Sequence, residues 1–97
     1  MNIRKARWPD LAKIVEFQIK MAHETERLRL DPNKVELGVG AVVKDPNKGF
    51  YLVAEVKQQI VGCLLVVSEW SDWRNASVWW IHSVYVVPEM RKSGGLS

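Results

Sequence analysis

The chain has 97 residues, 47% of them hydrophobic and 26% charged, with a formal net charge of +3. That length holds one domain, taken as residues 1–97, with the composition of a folded globular chain and not a disordered one. The positive residues are scattered (Arg4, Lys5 and Arg7, then Arg27 and Arg29, then Arg91 and Lys92), which excludes the single basic stripe of a nucleic-acid binder.

The longest apolar stretch, Ile60 to Val67, is interrupted by Gly62 and is far shorter than the roughly 20 residues of a membrane span. Met1-Asn2-Ile3-Arg4-Lys5 runs straight into charge, with no apolar signal region behind it. A lone Cys63 cannot form an internal disulfide and fits a reducing compartment. The expected location is cytoplasmic, with no membrane partner.

Asn2 to Ala6 alternates in the manner of a short edge strand. Trp8-Pro9-Asp10 breaks it and opens a helix, with Pro suited to the first turn and Asp10 placing negative charge at the positive end of the dipole. Leu11, Ile14, Val15, Ile19 and Ala22 recur at three- and four-residue spacings and define its apolar face. Glu16 precedes Lys20 by four residues, the favourable order for an ion pair. The spacing predicts a helix from about Pro9 to Thr25, ended by the polar run His23-Glu24-Thr25-Glu26-Arg27.

A second helix starts with Asp31 as its cap and Pro32 as its first residue, and turns Val35, Val39, Val42 and Val43 to one side. Gly38 and Gly40 weaken it by about 1 kcal/mol each relative to Ala, and Asp45-Pro46-Asn47-Lys48-Gly49 stops it. Beyond Gly49 the β-formers take over, in Phe50–Val56, Ile60–Glu69 and Ser77–Val87, the last ended by Pro88. Lys57-Gln58-Gln59 connects the first two without an Asn-Gly or Asp-Gly signal. Short loops between consecutive strands imply an antiparallel meander. The expected fold class is α+β, in the order β-α-α-β-β-β, with two N-terminal helices. Trp79 and Trp80, two of five tryptophans, are adjacent on a strand and face opposite sides of the sheet, so one is expected in the core and the other needs a cover.

The order and several local sequences resemble the N-terminal part of the GCN5-related N-acetyltransferases. Tyr51-Leu52-Val53-Ala54-Glu55 followed by Ile60-Val61-Gly62 looks like the second and third strands of that family. The stretch Ile81 to Gly94 is similar to its fourth strand and to the opening of its cofactor motif: a hydrophobic strand, a Pro, an Arg or Gln, two variable residues, and a Gly. Arg91 and Gly94 match in register. His23-Glu24-Thr25-Glu26 with Leu30-Asp31 is similar to one bacterial subgroup, in the region that borders the acceptor site.

The resemblance implies an acyl-CoA N-acyltransferase-like fold, acetyl-CoA as the acyl donor and a peptide or small-molecule amine as acceptor. It implies that backbone groups of Val84, Tyr85 and Val86 meet the pantetheine arm. It also implies that Arg91, Lys92, Ser93 and Gly94 begin the turn that receives the pyrophosphate, with backbone N–H groups and positive charge. His82 sits where many relatives carry a Glu on the fourth strand, and imidazole exchanges its proton near neutral pH, so it is the expected general base. A half-buried strand histidine bonded to a backbone carbonyl is the structural alternative. Ser83, Glu24 and Glu26 are the candidates for substrate contact, and the two carboxylates suit a cationic amine.

Cys63 reads as a packed strand residue, since nothing near it lowers a thiol's pKa. His23 and His82 with one Cys make no metal-ligand spacing. In the family the domain continues past this motif with further helices and strands, whereas this chain ends in Gly95-Leu96-Ser97, with Leu96 where the motif takes Gly or Ala. The expectation is a truncated acetyltransferase-like domain whose uncovered apolar sheet face and unpaired fourth strand make it a homodimer. Two functions are consistent with it: an acetyl-CoA-dependent N-acetyltransferase, and a non-catalytic interaction or cofactor-binding module that kept the fold.

Overall fold

In three strands every second residue turns inward, and those inward residues meet two helices. The structure, a computed structural model, describes residues 1–91. It contains β1 (Asn2–Lys5), a single 3-10 turn (Trp8–Asp10), α1 (Leu11–Glu26), α2 (Pro32–Lys44), β2 (Phe50–Val56), β3 (Gln59–Ser71), β4 (Ala76–Val86) and the short α3 (Pro88–Arg91). The strands form one antiparallel sheet in the order β1-β2-β3-β4. This is the expected α+β meander.

Both long helices lie on one face of that sheet. The core joins Ile14 and Phe17 of α1 and Val39 of α2 to Tyr51, Val53, Cys63 and Tyr85 of the strands. Val53 pairs with Cys63, and Cys63 with Tyr85, so these three share the helix-facing side. Phe17 is fully buried, although it was not among the residues expected on the helix's apolar face. It stands three residues after Ile14, so the helical period itself marks it.

Element ends agree with the sequence punctuation. The Asp31 side chain accepts a hydrogen bond from the Asn33 N–H at 2.9 Å and caps α2 at Pro32. α1 ends at Arg27, whose φ of 58° is left-handed and whose N–H donates back to the His23 carbonyl at 3.1 Å. Gly49 is required where it stands: its φ is 131°, and a Cβ there would lie 2.4 Å from the Val66 carbonyl oxygen. The Lys57-Gln58 turn places two non-glycine residues at positive φ, 50° and 67°, the backbone of a type I′ hairpin.

Asp10 stands at the start of α1, as expected, and is in addition buried: its carboxylate accepts from the Arg4 guanidinium at 2.8 and 3.0 Å and from the Arg7 N–H at 2.7 Å, which ties β1 to the start of α1. One expectation is corrected: neither of the adjacent tryptophans enters the core, since Trp79 is 55% exposed and Trp80 53%. β2 pairs with β3 only as far as Phe50 and Val66, and the β3–β4 hairpin runs on past that point to Ser71 and Ala76. The tryptophans sit on this overhang, beyond the layer that the helices cover.

Candidate functional site

β4 is the outer strand, and among the described residues no strand pairs with its far edge. In an antiparallel ladder the backbone groups point alternately to the partner and away from it. The Val87 N–H donates to the Val61 carbonyl at 2.9 Å, so residue 85, two back along the strand, also points toward β3, while Val84 and Val86 point outward. The Val86 carbonyl confirms this, because it accepts from the Arg91 Nε across the outer edge. Val84 is 52% exposed, and its own N–H and carbonyl face the open side.

A cavity of about 620 Å³ lies along this edge, lined by Met21, Glu24 and Thr25 of α1, Val84, Tyr85 and Val86 of β4, and Arg91 of α3. Tyr85 forms its floor: it is only 4% exposed, and its ring packs on Phe17 with centroids 4.9 Å apart. The Arg91 guanidinium stands over the Tyr85 ring at 5.0 Å and donates through Nη1 to Glu24 Oε1 at 3.1 Å. Arg91, with a further contribution from Tyr85, holds the Glu24 carboxyl below its usual range. Burial and then the neighbouring Glu24 carboxylate push the Tyr85 hydroxyl up. In the free chain Glu24 is therefore ionised and Tyr85 neutral at pH 7.

The structure brings together five of the residues singled out in the sequence: Glu24, Val84, Tyr85, Val86 and Arg91. Lys92, Ser93 and Gly94 lie outside the described residues. Glu26, His82 and Ser83 do not line the cavity. Leu65 pairs with Ser83 and Val66 with Ile81, so His82 is the extra residue of a bulge, left out of register with β3. It is exposed and its side chain forms no hydrogen bond or ion pair among the described residues, so the imidazole is not fixed by a backbone carbonyl. Met21 and Thr25 were missed. Met21 stands three residues before Glu24, and Thr25 four after Met21, with its hydroxyl donating to the Met21 carbonyl at 2.8 Å, so the three- and four-residue spacing of the helix is the signal that finds them. Burial pushes the Cys63 thiol up to about 12, so it stays protonated and inert at neutral pH. Among the described residues no group of His, Cys, Asp and Glu is placed to hold a metal ion, and no helix is long and apolar enough to cross a membrane.

Two helices on one face of an antiparallel sheet, with an outer strand whose free edge meets a cation, match the acyl-CoA N-acyltransferase-like fold. Residues 3–95 match the model of the acetyltransferase (GNAT) family, and the chain belongs to that family. Among solved structures it is similar to a possible acetyltransferase from Clostridium difficile 630, with 43% identity, a TM-score of 0.91, and coverage of 96% of this chain and 61% of that one. A predicted acetyltransferase with acetyl-CoA from Clostridium acetobutylicum shares the fold at 19% identity and a TM-score of 0.76, over 97% of this chain and 64% of that one. An aminoglycoside antibiotic 6'-N-acetyltransferase from Acinetobacter haemolyticus does so at 19% identity and a TM-score of 0.71, over 97% and 62%. The chain thus spans 61 to 64% of the length of these three proteins. Comparison with curated proteins finds no match.

Proposed function

We propose that this chain carries the donor-binding edge of an acetyl-CoA-dependent N-acetyltransferase that acts on an amine. The observation that supports the reading is the pairing of an open backbone edge at Val84 with the Arg91 cation beside the same cavity. The residues present fit acetyl-CoA. Val84 offers one outward N–H and one outward carbonyl to an amide-bearing arm, and Arg91 stands where an anionic group at the end of that arm is met. When bound, acetyl-CoA supplies the acetyl thioester. The chain's own part is to hold that arm in extended register along β4 and to receive the acceptor beside α1. Lys92, Ser93 and Gly94 belong to the proposal as the continuation of the phosphate turn. His82 belongs to it as the acceptor of the amine proton, on the chemistry of an exposed imidazole two residues before Val84. Glu26 and Ser83 are retained as more distant substrate contacts. The proposal includes a cytoplasmic location, on the single free Cys63, and a homodimer, argued in the Discussion.

Calorimetric titration with acetyl-CoA tests the reading. Binding is expected in the micromolar to sub-millimolar range. Val84→Pro removes an N–H that no ladder bond to β3 uses, so the fold is expected to survive. Its acetyl-CoA affinity should fall by roughly threefold to tenfold. Absence of binding to the parent chain, or equal affinity in a folded Val84→Pro variant, overturns the assignment of this edge. A second reading, a module that binds the donor without turnover, is favoured by one observation: His82 and Ser83 stand outside the cavity. Thiol release over a panel of amines separates the two, since the transferase releases CoA with at least one amine and the binding module with none.

A further inference from the structure

Arg91 occupies two places at once in the free chain. Its Nε is bonded to the outward carbonyl of Val86, and its Nη1 to Glu24 at 3.1 Å, with the guanidinium over the Tyr85 ring. Under the proposed function, on which this inference rests, the arm of the donor needs the Val86 edge and its phosphates need the Arg91 charge. Val86 and Glu24 take two of the five guanidinium N–H donors, so a bidentate grip on a phosphate through the Nε edge of this fixed fork breaks the Val86 bond and turns the group away from Glu24. The Arg91–Glu24 pair is partly exposed, with side chains 44% and 38% accessible, and such pairs hold weakly. A phosphate group, with more charge and more acceptor oxygens, takes the guanidinium from the carboxylate.

What Arg91 leaves behind is a built receptor for a cation. Glu24 contributes an ionised carboxylate at the end of α1, Tyr85 an aromatic face, and Phe17 the packing that keeps that face fixed. The guanidinium of Arg91 already demonstrates the fit. Lys20, one turn earlier on the same helix, is paired with Glu16 at 3.2 Å and reaches Glu24 only as a distant charge, so Arg91 is the one ion-pair partner of Glu24 among the described residues.

We propose that Glu24 and Tyr85 form the seat for a cationic group of the acceptor, held shut by Arg91 until the donor draws Arg91 away. The reacting amine must be neutral to attack, so the charge held by Glu24 is a second one. The acceptor class is then an amine bearing an additional positive group, and the donor binds first. Because the two events share one residue, each favours the other.

The test uses n-butylguanidinium, a copy of the Arg91 side chain, titrated by NMR into the chain with and without saturating CoA. Binding is expected to be at least about fivefold tighter with CoA present. Glu24→Gln should weaken the probe's binding to the CoA-loaded chain by at least about fivefold, and tighten acetyl-CoA binding to the free chain by roughly twofold to fivefold, since nothing then holds Arg91 back. Arg91→Gln should make probe binding independent of CoA. Glu36→Gln, an equal charge change on the exposed side of α2, should behave as the parent chain does. Equal probe affinity with and without CoA, or no effect of Glu24→Gln in a variant with unchanged thermal midpoint, overturns the seat while acetyl-CoA binding leaves the transferase reading standing. Failure of the parent chain to bind acetyl-CoA removes that reading and the seat with it.

Discussion

The Asp10 carboxylate takes three donors, two from Arg4 and one from the Arg7 N–H, in a site where it is only 8% exposed. Arg4 holds its pKa below the ordinary aspartate value of 3.8, against the opposing effect of burial. A depressed folded-state pKa contributes stability that is complete above the unfolded value and is lost as the pH falls through the folded one. Asp10→Asn keeps the size and removes the charge, leaving the Arg4 guanidinium short of a partner. It should cost about 1–3 kcal/mol at pH 7. Urea unfolding of both proteins at pH 7 and pH 3 checks the sign, because the gap should narrow at pH 3 as the parent's carboxylate gains its proton. A gap that is equal at both pH values removes the ion pair as the cause. The sequence marked Asp10 as a helix-start residue but not as a buried one. Its partner lies six residues earlier, on a strand whose direction is set by pairing with β2, and no local spacing records that.

At the scale of elements, the chain's punctuation was legible because each break has a local cause. Pro9, the Asp31-Pro32 cap, Pro46 with Gly49, and Pro88 act within a few residues of themselves, and the observed ends of the helices and strands fall within about two residues of those signals. The bulge at Leu65 and Val66 was not legible, since it is a property of two strands in register. That bulge puts His82 out of register with β3, while Val84, Tyr85 and Val86, beyond it, line one cavity with Arg91. The Lys57-Gln58 turn is the element most open to improvement. Both residues are held at positive φ, where a side chain costs about 1–2 kcal/mol that glycine does not. Replacing them together, Lys57→Asn with Gln58→Gly, supplies the residues a type I′ turn favours. The thermal midpoint should rise by about 4–8 °C for a gain of about 1 kcal/mol. A midpoint that falls would mean the hairpin is not in this register.

Among the described residues the helices cover one face of the sheet and none covers the other. Ile3 is 55% exposed, Ile81 66% and Val84 52%, and the register sets Leu52 beside Leu64 and Leu64 beside Val84 on this same side. Phe50 and Trp79 stack on it with centroids 5.6 Å apart. A continuous apolar surface of this kind draws a partner, and a second copy brings an identical surface in a closed, twofold arrangement. The free β4 edge offers a competing route to a dimer, by strand pairing. The proposed function decides between them, because the donor needs the Val84 edge and cannot share it with another strand. The dimer is therefore expected to form through the open face, and sedimentation equilibrium should show it at micromolar concentration. Ile3→Lys with Ile81→Lys places two charges on each copy's face and should raise the dimer dissociation constant by at least about tenfold. Saturating acetyl-CoA should leave the parent dimer intact. Dissociation by acetyl-CoA would assign the contact to the β4 edge instead, and a parent chain that stays monomeric at tens of micromolar would remove the dimer altogether.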